Sequence, residues 1–148
     1  MTIFLHIFCK EINIICHINK IAQSPILILF HLSTTRAENG IKEPPDFTKT
    51  PAKFAYEIQL NNGYPGDPNF SGSIYNLAKA PQGLQRPYDW NKIEISVRKD
   101  KIRVMLNGQL AAEHPGDPKR PATGPIGLQL HDRVTVAMYR NVRLRVVK

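Results

Sequence analysis

The chain has 148 residues, among them 12 prolines and nine glycines. That is long enough to bury one core and too rich in turn formers for a protein of long helices. The net charge is +8, and residues 86–148 carry thirteen Lys and Arg against six Asp and Glu, so nearly all of the excess lies in that C-terminal part. These basic residues stand singly along alternating segments and no set of stacking aromatics accompanies them, which argues for a solvated basic surface and against a nucleic-acid partner. Two cysteines, Cys9 and Cys16, are too few for a disulfide framework or a cysteine metal site.

Residues 1–40 read as an atypical N-terminal segment. Short apolar stretches, Ile3 to Phe8 and Ile26 to Leu32, are interrupted by Lys, Asn and His. None approaches the roughly 20 residues of a membrane span, so no stable span is expected. Lys20, the stretch Pro25 to Leu32 and the residues Ser33 to Ala37 have the outline of a signal peptide, which would send the protein to a secreted or periplasmic location. A mis-called start or a disrupted gene is the alternative. His6, His17 and His31 share no helical or strand face, so they are not expected to form a metal site. Residues 41–53, with Pro44, Pro45 and Pro51, read as a linker that blocks helix and central strand alike.

Residues 54–148 read as a β-sandwich. Phe54, Tyr56, Ile58 and Leu60 alternate with Ala55, Glu57 and Gln59. Asn61 to Pro68 forms a long turn, Ser71 to Leu77 a short strand, and residues 78–89 a loop. A two-residue turn at Lys99-Asp100 sets Val97 opposite Ile102, Ile95 opposite Val104 and Ile93 opposite Leu106, three apolar pairs on one face. Asn107-Gly108 is the strongest hairpin signal, although it leaves Gln109 facing Leu106, so a bulge or a longer loop is expected beyond it. Pro115-Gly116-Asp117-Pro118 echoes Pro65-Gly66-Asp67-Pro68; both are read as turns, with His114 a turn residue, and their flanks argue against an internal repeat. Next, Ile126, Leu128 and Leu130 point inward with Gln129 and His131 outward. The last strand, 134–147, sets Val134, Val136, Met138, Val142, Leu144 and Val146 on one face. Arg140 falls on that apolar parity, so either a bulge at Arg140-Asn141 turns it out or it is buried against a carboxylate. Seven short strands predict an all-β sandwich or jelly roll that is incomplete.

Several stretches, in order and spacing, resemble the 3-keto-disaccharide hydrolase domain family. They are Tyr56-Glu57-Ile58-Gln59-Leu60, Ser71-Gly72-Ser73-Ile74-Tyr75, Trp90-Asn91-Lys92-Ile93-Glu94-Ile95, Val104-Met105-Leu106-Asn107-Gly108, Gly124 to His131 and Tyr139-Arg140-Asn141-Val142-Arg143-Leu144. The resemblance implies a concanavalin-like jelly-roll sandwich with a concave sheet face. It also implies a hydrolase or lyase whose carbohydrate substrate is a glycoside already oxidised to a ketone at ring carbon 3. Such chemistry needs a base for the acidified hydrogen beside the ketone and a group that stabilises the enolate, and a divalent metal ion is one means to the second.

If the strands of Glu57 and His131 share the concave sheet, one polar face is available. His131 is then the base or a metal ligand, Glu57 the acid/base or a metal ligand, and Gln59 and Gln129 bind sugar hydroxyls. Tyr75 and Arg140 are further candidates for substrate contact, while Trp90 is expected to pack at a strand start. From spacing alone these are ordinary outward residues of half-polar strands. A non-catalytic carbohydrate-binding module on the same sandwich is the alternative function, and a gene fragment with exposed sheet edges a weaker one.

Overall fold

In the computed structural model the described residues are 2–7, 12–20, 26–30, 56–61, 64–98, 101–120, 124–130 and 136–146. Among them are nine strands: β1 (Thr2–Ile7), β2 (Ile12–Lys20), β3 (Ile26–Phe30), β4 (Tyr56–Leu60), β5 (Asn91–Arg98), β6 (Lys101–Leu106), β7 (Gln109–His114), β8 (Gly124–Leu130) and β9 (Ala137–Val146). They form two antiparallel sheets, one of four strands ordered β1-β8-β3-β4 and one of five ordered β7-β6-β5-β2-β9. This is the two-layer, all-β sandwich that the alternation predicted. No helix among the described residues is long and apolar enough to cross a membrane.

The segment read above as atypical supplies three of these strands. β2 lies between β5 and β9, and β3 lies between β8 and β4. The interruptions by Asn and His in β2 fall at period two, so they mark the second face of a central strand. Ile14 pairs with Ile95 and Leu144, while Ile15 pairs with Glu94 and Arg143. The linker expected at 41–53 lies outside the described residues, as do Phe54 and Ala55.

The core lies between the sheets. Ile58, Ile74, Ile93, Ile102, Val104 and Leu106 are at most 1% exposed, and Ile126 of β8 closes it from the four-stranded side. The β5–β6 hairpin has the register expected from its apolar pairs, with Val97 opposite Ile102, Ile95 opposite Val104 and Ile93 opposite Leu106. Asn107 and Gly108 take φ of 52° and 80°, the paired left-handed geometry of a two-residue hairpin turn. Gln109 does face Leu106, and the misfit is absorbed further on: Met105 pairs with Leu110 but Val104 with Ala112, leaving Ala111 as the extra residue of a bulge. The bulge turns both Ala111 and Ala112 inward, where each is 5% exposed.

Two expectations change. Ser71 to Leu77 is not a full strand: it makes isolated bridges from Ile74 to Ile58 and to Ala78, pressed against the edge of β4. On β9 the face expected to be buried is outward before the strand's irregularity, with Val136 and Met138 exposed, and Val142 at the irregularity is exposed as well. Ala137 and Tyr139 pack toward the core before the irregularity, and Leu144 after it. The register slips between Ile15, opposite Arg143, and His17, opposite Arg140, and Asn141 adopts φ 54°. The slip reverses the parity of the strand, so Arg140 is exposed; the bulge, not a buried ion pair, resolves its placement.

Candidate functional site

β4 carries the candidate site, and its neighbours determine what that site can do. On one side β3 pairs with it, Glu57 opposite Leu29 and Gln59 opposite Leu27. On the other side the segment 71–75 hydrogen-bonds along its free edge. Gln59 N donates to Ser73 O at 2.9 Å, Gly72 N to Gln59 O at 2.8 Å and Tyr75 N to Glu57 O at 2.8 Å. Gly72 makes this approach feasible: it has φ +91°, and a Cβ there would meet the Ala111 Cβ at 2.5 Å.

All five residues of β4 are buried. Tyr56, Ile58 and Leu60 face the core, as alternation requires. Glu57 and Gln59, expected on an open polar face, are only 6% and 2% exposed. The turn at 64–67 explains this. Asp67 N donates to Tyr64 O at 3.2 Å, with Pro65 and Gly66 (φ 85°) between them, the geometry of a type II turn. It brings the Asp67 carboxylate to the Gln59 amide, whose Nε2 donates to Oδ2 at 2.6 Å. Asp67 Oδ1 accepts from the backbone N and the Nδ2 of Asn69, and Asn61 Nδ2 donates to Asn69 O. Buried Ser71 ties this loop down through Asn61 and Gln85.

The second Pro-Gly-Asp-Pro turn reaches the same strand from the other layer. Asp117 N donates to the Tyr56 hydroxyl at 2.5 Å, and Gly116 N donates to His114 Nδ1 at 3.0 Å. Arg120 lies with its guanidinium 5.1 Å from the Tyr56 ring centroid and 3.6 Å from Asp117 Oδ2. In both turns the Asp Oδ1 accepts from the backbone N two residues on, at 2.8 Å from Asn69 and 2.9 Å from Lys119. The two matching tetrapeptides therefore bracket β4. Asp67 and Arg120 were not singled out in the sequence; the doubled Pro-Gly-Asp-Pro was the available signal, and it was read only as turn chemistry.

The Glu57 carboxyl is pushed up from the ordinary 4.5 to about 7. Burial is the main cause, the Asp67 charge adds to it, and Arg120 opposes it. An acid poised near neutrality can take a proton or give one. Gln59 Oε1 is buried with no hydrogen-bond partner among the described residues, an acceptor left over beside the Asp67 carboxylate.

Tyr75 is half-buried beside Glu57 through the edge pairing. Gln129 lies on β8, which is not adjacent to β4, because β3 intervenes. The register sets Gln129 opposite Leu27, the residue that is also opposite Gln59. Two strand spacings, about 10 Å, thus separate Gln129 from Gln59 across the sheet. His131 lies outside the described residues. Arg140 is not brought to this face: it belongs to the five-stranded sheet, where its guanidinium sits 3.9 Å over the Trp90 ring. Trp90, expected to pack at a strand start, does so directly before β5. No three His, Cys, Asp or Glu side chains gather among the described residues. The Glu57 and Asp67 carboxylates and Gln59 Oε1 are nevertheless oxygen donors of the kind that suit a hard divalent cation.

The model of the 3-keto-alpha-glucoside-1,2-lyase-like domain family matches residues 28–145. No curated protein matches in sequence. Among solved structures, a candidate glycosyl hydrolase of Parabacteroides distasonis superposes with a TM-score of 0.79 at 18% identity, over 99% of this chain and 83% of that one. A Bacillus subtilis protein of unknown function with a galectin-like fold gives 0.65 at 14% identity, over 97% and 76%. The carbohydrate-binding module CBM66 of Bacillus subtilis gives 0.61 at 12% identity, over 97% and 81%. At these identities the likeness is one of fold: a concanavalin- and galectin-like sandwich.

Proposed function

The chain belongs to the 3-keto-alpha-glucoside-1,2-lyase-like domain family, and from that premise we propose that it cleaves the glycosidic bond of sugars oxidised to a ketone at carbon 3. The observation that carries this reading is Glu57, a carboxyl buried on a sheet face with its pKa raised to about 7, beside Asp67 and an unsatisfied Gln59 oxygen.

A ketone at carbon 3 acidifies the hydrogen on carbon 2. A base removes that proton, and the electrons of the C2–H bond pass through the enolate to form a double bond between carbons 1 and 2. The bond from carbon 1 to the glycosidic oxygen breaks, and that oxygen takes a proton as it leaves. Water then adds across the double bond to give the free keto-sugar. Glu57 suits the proton transfers because its burial balances the two protonation states near neutral pH. His131, next in sequence after Leu130, is the partner base or ligand in this proposal. Gln59 Oε1 accepts from a sugar hydroxyl, and Gln129 and Tyr75 extend the binding face. A divalent cation held by Glu57, with Asp67 and Gln59 beside it, would stabilise charge on the enolate oxygen.

The test is release of aglycone from an aryl 3-keto-α-glucoside, against the unoxidised glucoside, with and without a chelator. Release from the ketone alone, lost in Glu57→Gln, supports the reading. Binding of the keto-glucoside without turnover would assign the non-catalytic carbohydrate-binding role instead.

A further inference from the structure

The outer face of the five-stranded sheet, on the opposite layer from Glu57, gathers most of the chain's excess positive charge. Register shows how. Ile15 lies opposite both Arg143 and Glu94, and Glu94 lies opposite Met105. One row over, Ser96 lies opposite Arg103 and Arg103 opposite Glu113, with Asn13 linking Ser96 to Arg145. Arg98 pairs with Lys101 at one end, and His17 lies between Lys92 and Arg140 at the other. Residues scattered singly over more than 50 positions therefore share one surface. Its described members number seven Lys and Arg against Glu94 and Glu113 alone.

A groove of about 630 Å³ opens on this face, lined by Arg98, Lys101, Arg103, Ser96, Glu94 and Glu113 over a floor that includes Ile15 and Met105. Glu113 holds Lys101 and Arg103 at 3.2 Å each, and Glu94 holds Lys92 at 3.0 Å. Among the described residues no carboxylate lies within ion-pair distance of Arg98, Arg143 or Arg145. The row from β9 to β7 crosses four strand spacings, about 19 Å, longer than a single sugar.

We propose that this groove binds an acidic polysaccharide, a chain carrying both carboxylates and hydroxyls. The guanidinium of Arg98 in the groove, and those of Arg143 and Arg145 on β9 of the same face, complement its carboxylates bidentately. Ser96 and the two glutamates accept or donate to its hydroxyls. Glu94 on the middle strand β5 and Glu113 on the edge strand β7 repel a continuous phosphodiester backbone. Arg140 holds its guanidinium 3.9 Å over the Trp90 ring and so occupies a face on which a base would stack. Binding here is independent of the cleavage reaction, because it uses the other sheet.

The experiment measures fluorescence polarisation of labelled oligogalacturonate, with a neutral malto-oligosaccharide of equal length and single-stranded oligo-dA as comparisons. The expected result is binding of the uronate only, weakening as salt is raised. The pairs Arg98→Glu with Arg103→Glu, and Arg143→Glu with Arg145→Glu, each weaken it about tenfold or more. The same positions changed to Gln weaken it less in the same direction while leaving thermal unfolding intact. Absence of uronate binding, affinity that survives the Gln variants, or tighter binding of oligo-dA would overturn the proposal, the last in favour of a nucleic acid.

Discussion

The carboxylate of Asp67 accepts a 2.6 Å hydrogen bond from the Gln59 amide and adds to the forces that raise the Glu57 carboxyl to about 7. A turn eight residues downstream thus sets both the orientation of a binding amide and the acidity of the group two residues away from it. The pairing leaves Gln59 Oε1 without a partner among the described residues, although a buried amide normally finds one for each end. Several measurements follow from this arrangement.

Replacing Glu57 by Gln keeps the volume and removes the proton-transfer capacity. Turnover of a 3-keto-glucoside is expected to fall about a hundredfold or more, the usual worth of a positioned acid or base. KM should change little, since the amide still fills the same site. A variant with wild-type turnover would remove Glu57 from the reaction.

The same group sets a pH dependence of stability. Between about 4.5 and about 7 the folded protein holds a proton on Glu57 that the unfolded chain has released. Stability contributed by the neutral form is therefore full below 4.5 and declines as pH rises toward 7, by about 3 kcal/mol in all. Chemical denaturation of wild type and Glu57→Gln across this window should show the decline only in wild type. Parallel curves would show that Glu57 titrates normally.

Asp67→Asn removes the negative charge beside Glu57 and one of two acceptors: its single side-chain oxygen can accept from Gln59 Nε2 or from Asn69, not from both. The acid limb of the pH–rate profile should move to lower pH, by less than the whole displacement, because burial remains. A move to higher pH would contradict the assigned cause.

Gly72→Ala tests the packing that closes the site. The new methyl meets Ala111 Cβ at 2.5 Å, and the residue must hold φ +91°. A loss of about 2–4 kcal/mol is expected in equilibrium unfolding. Adding Ala111→Gly should restore the clash component and leave the backbone strain. A Gly72→Ala protein as stable as wild type would mean that segment 71–75 does not lie along β4.

Much of the sandwich was legible because strand burial has a period of two. The β5–β6 register followed from matching Ile93, Ile95 and Val97 to Leu106, Val104 and Ile102, since a one-residue slip would have exposed all six. The bulge at Arg140-Asn141 was signalled by one charge on an apolar parity. The N-terminal strands were harder to read. β2 is a central strand with one face carrying Asn13, Ile15 and His17, and such a half-polar pattern resembles an irregular segment until its partners are known.

The candidate site was only half legible, for a related reason. Parity placed Glu57 and Gln59 together on the far side of β4 from the core, and alternation alone settles that. Whether that side is wet depends on a loop, and no local pattern states that the turn ending in Asp67 folds over it. The sequence by itself determined the alternating strands, the hairpin turn at Asn107-Gly108 and the paired register around it, because each rests on neighbours a few residues apart. Only the tertiary structure decided that β3 separates Gln59 from Gln129, that Glu57 is buried enough to hold its proton near neutral pH, and that single arginines on β5, β6 and β9 form one charged face. Burial and electrostatic potential are sums over everything nearby in space, and pairing between distant strands chooses those neighbours.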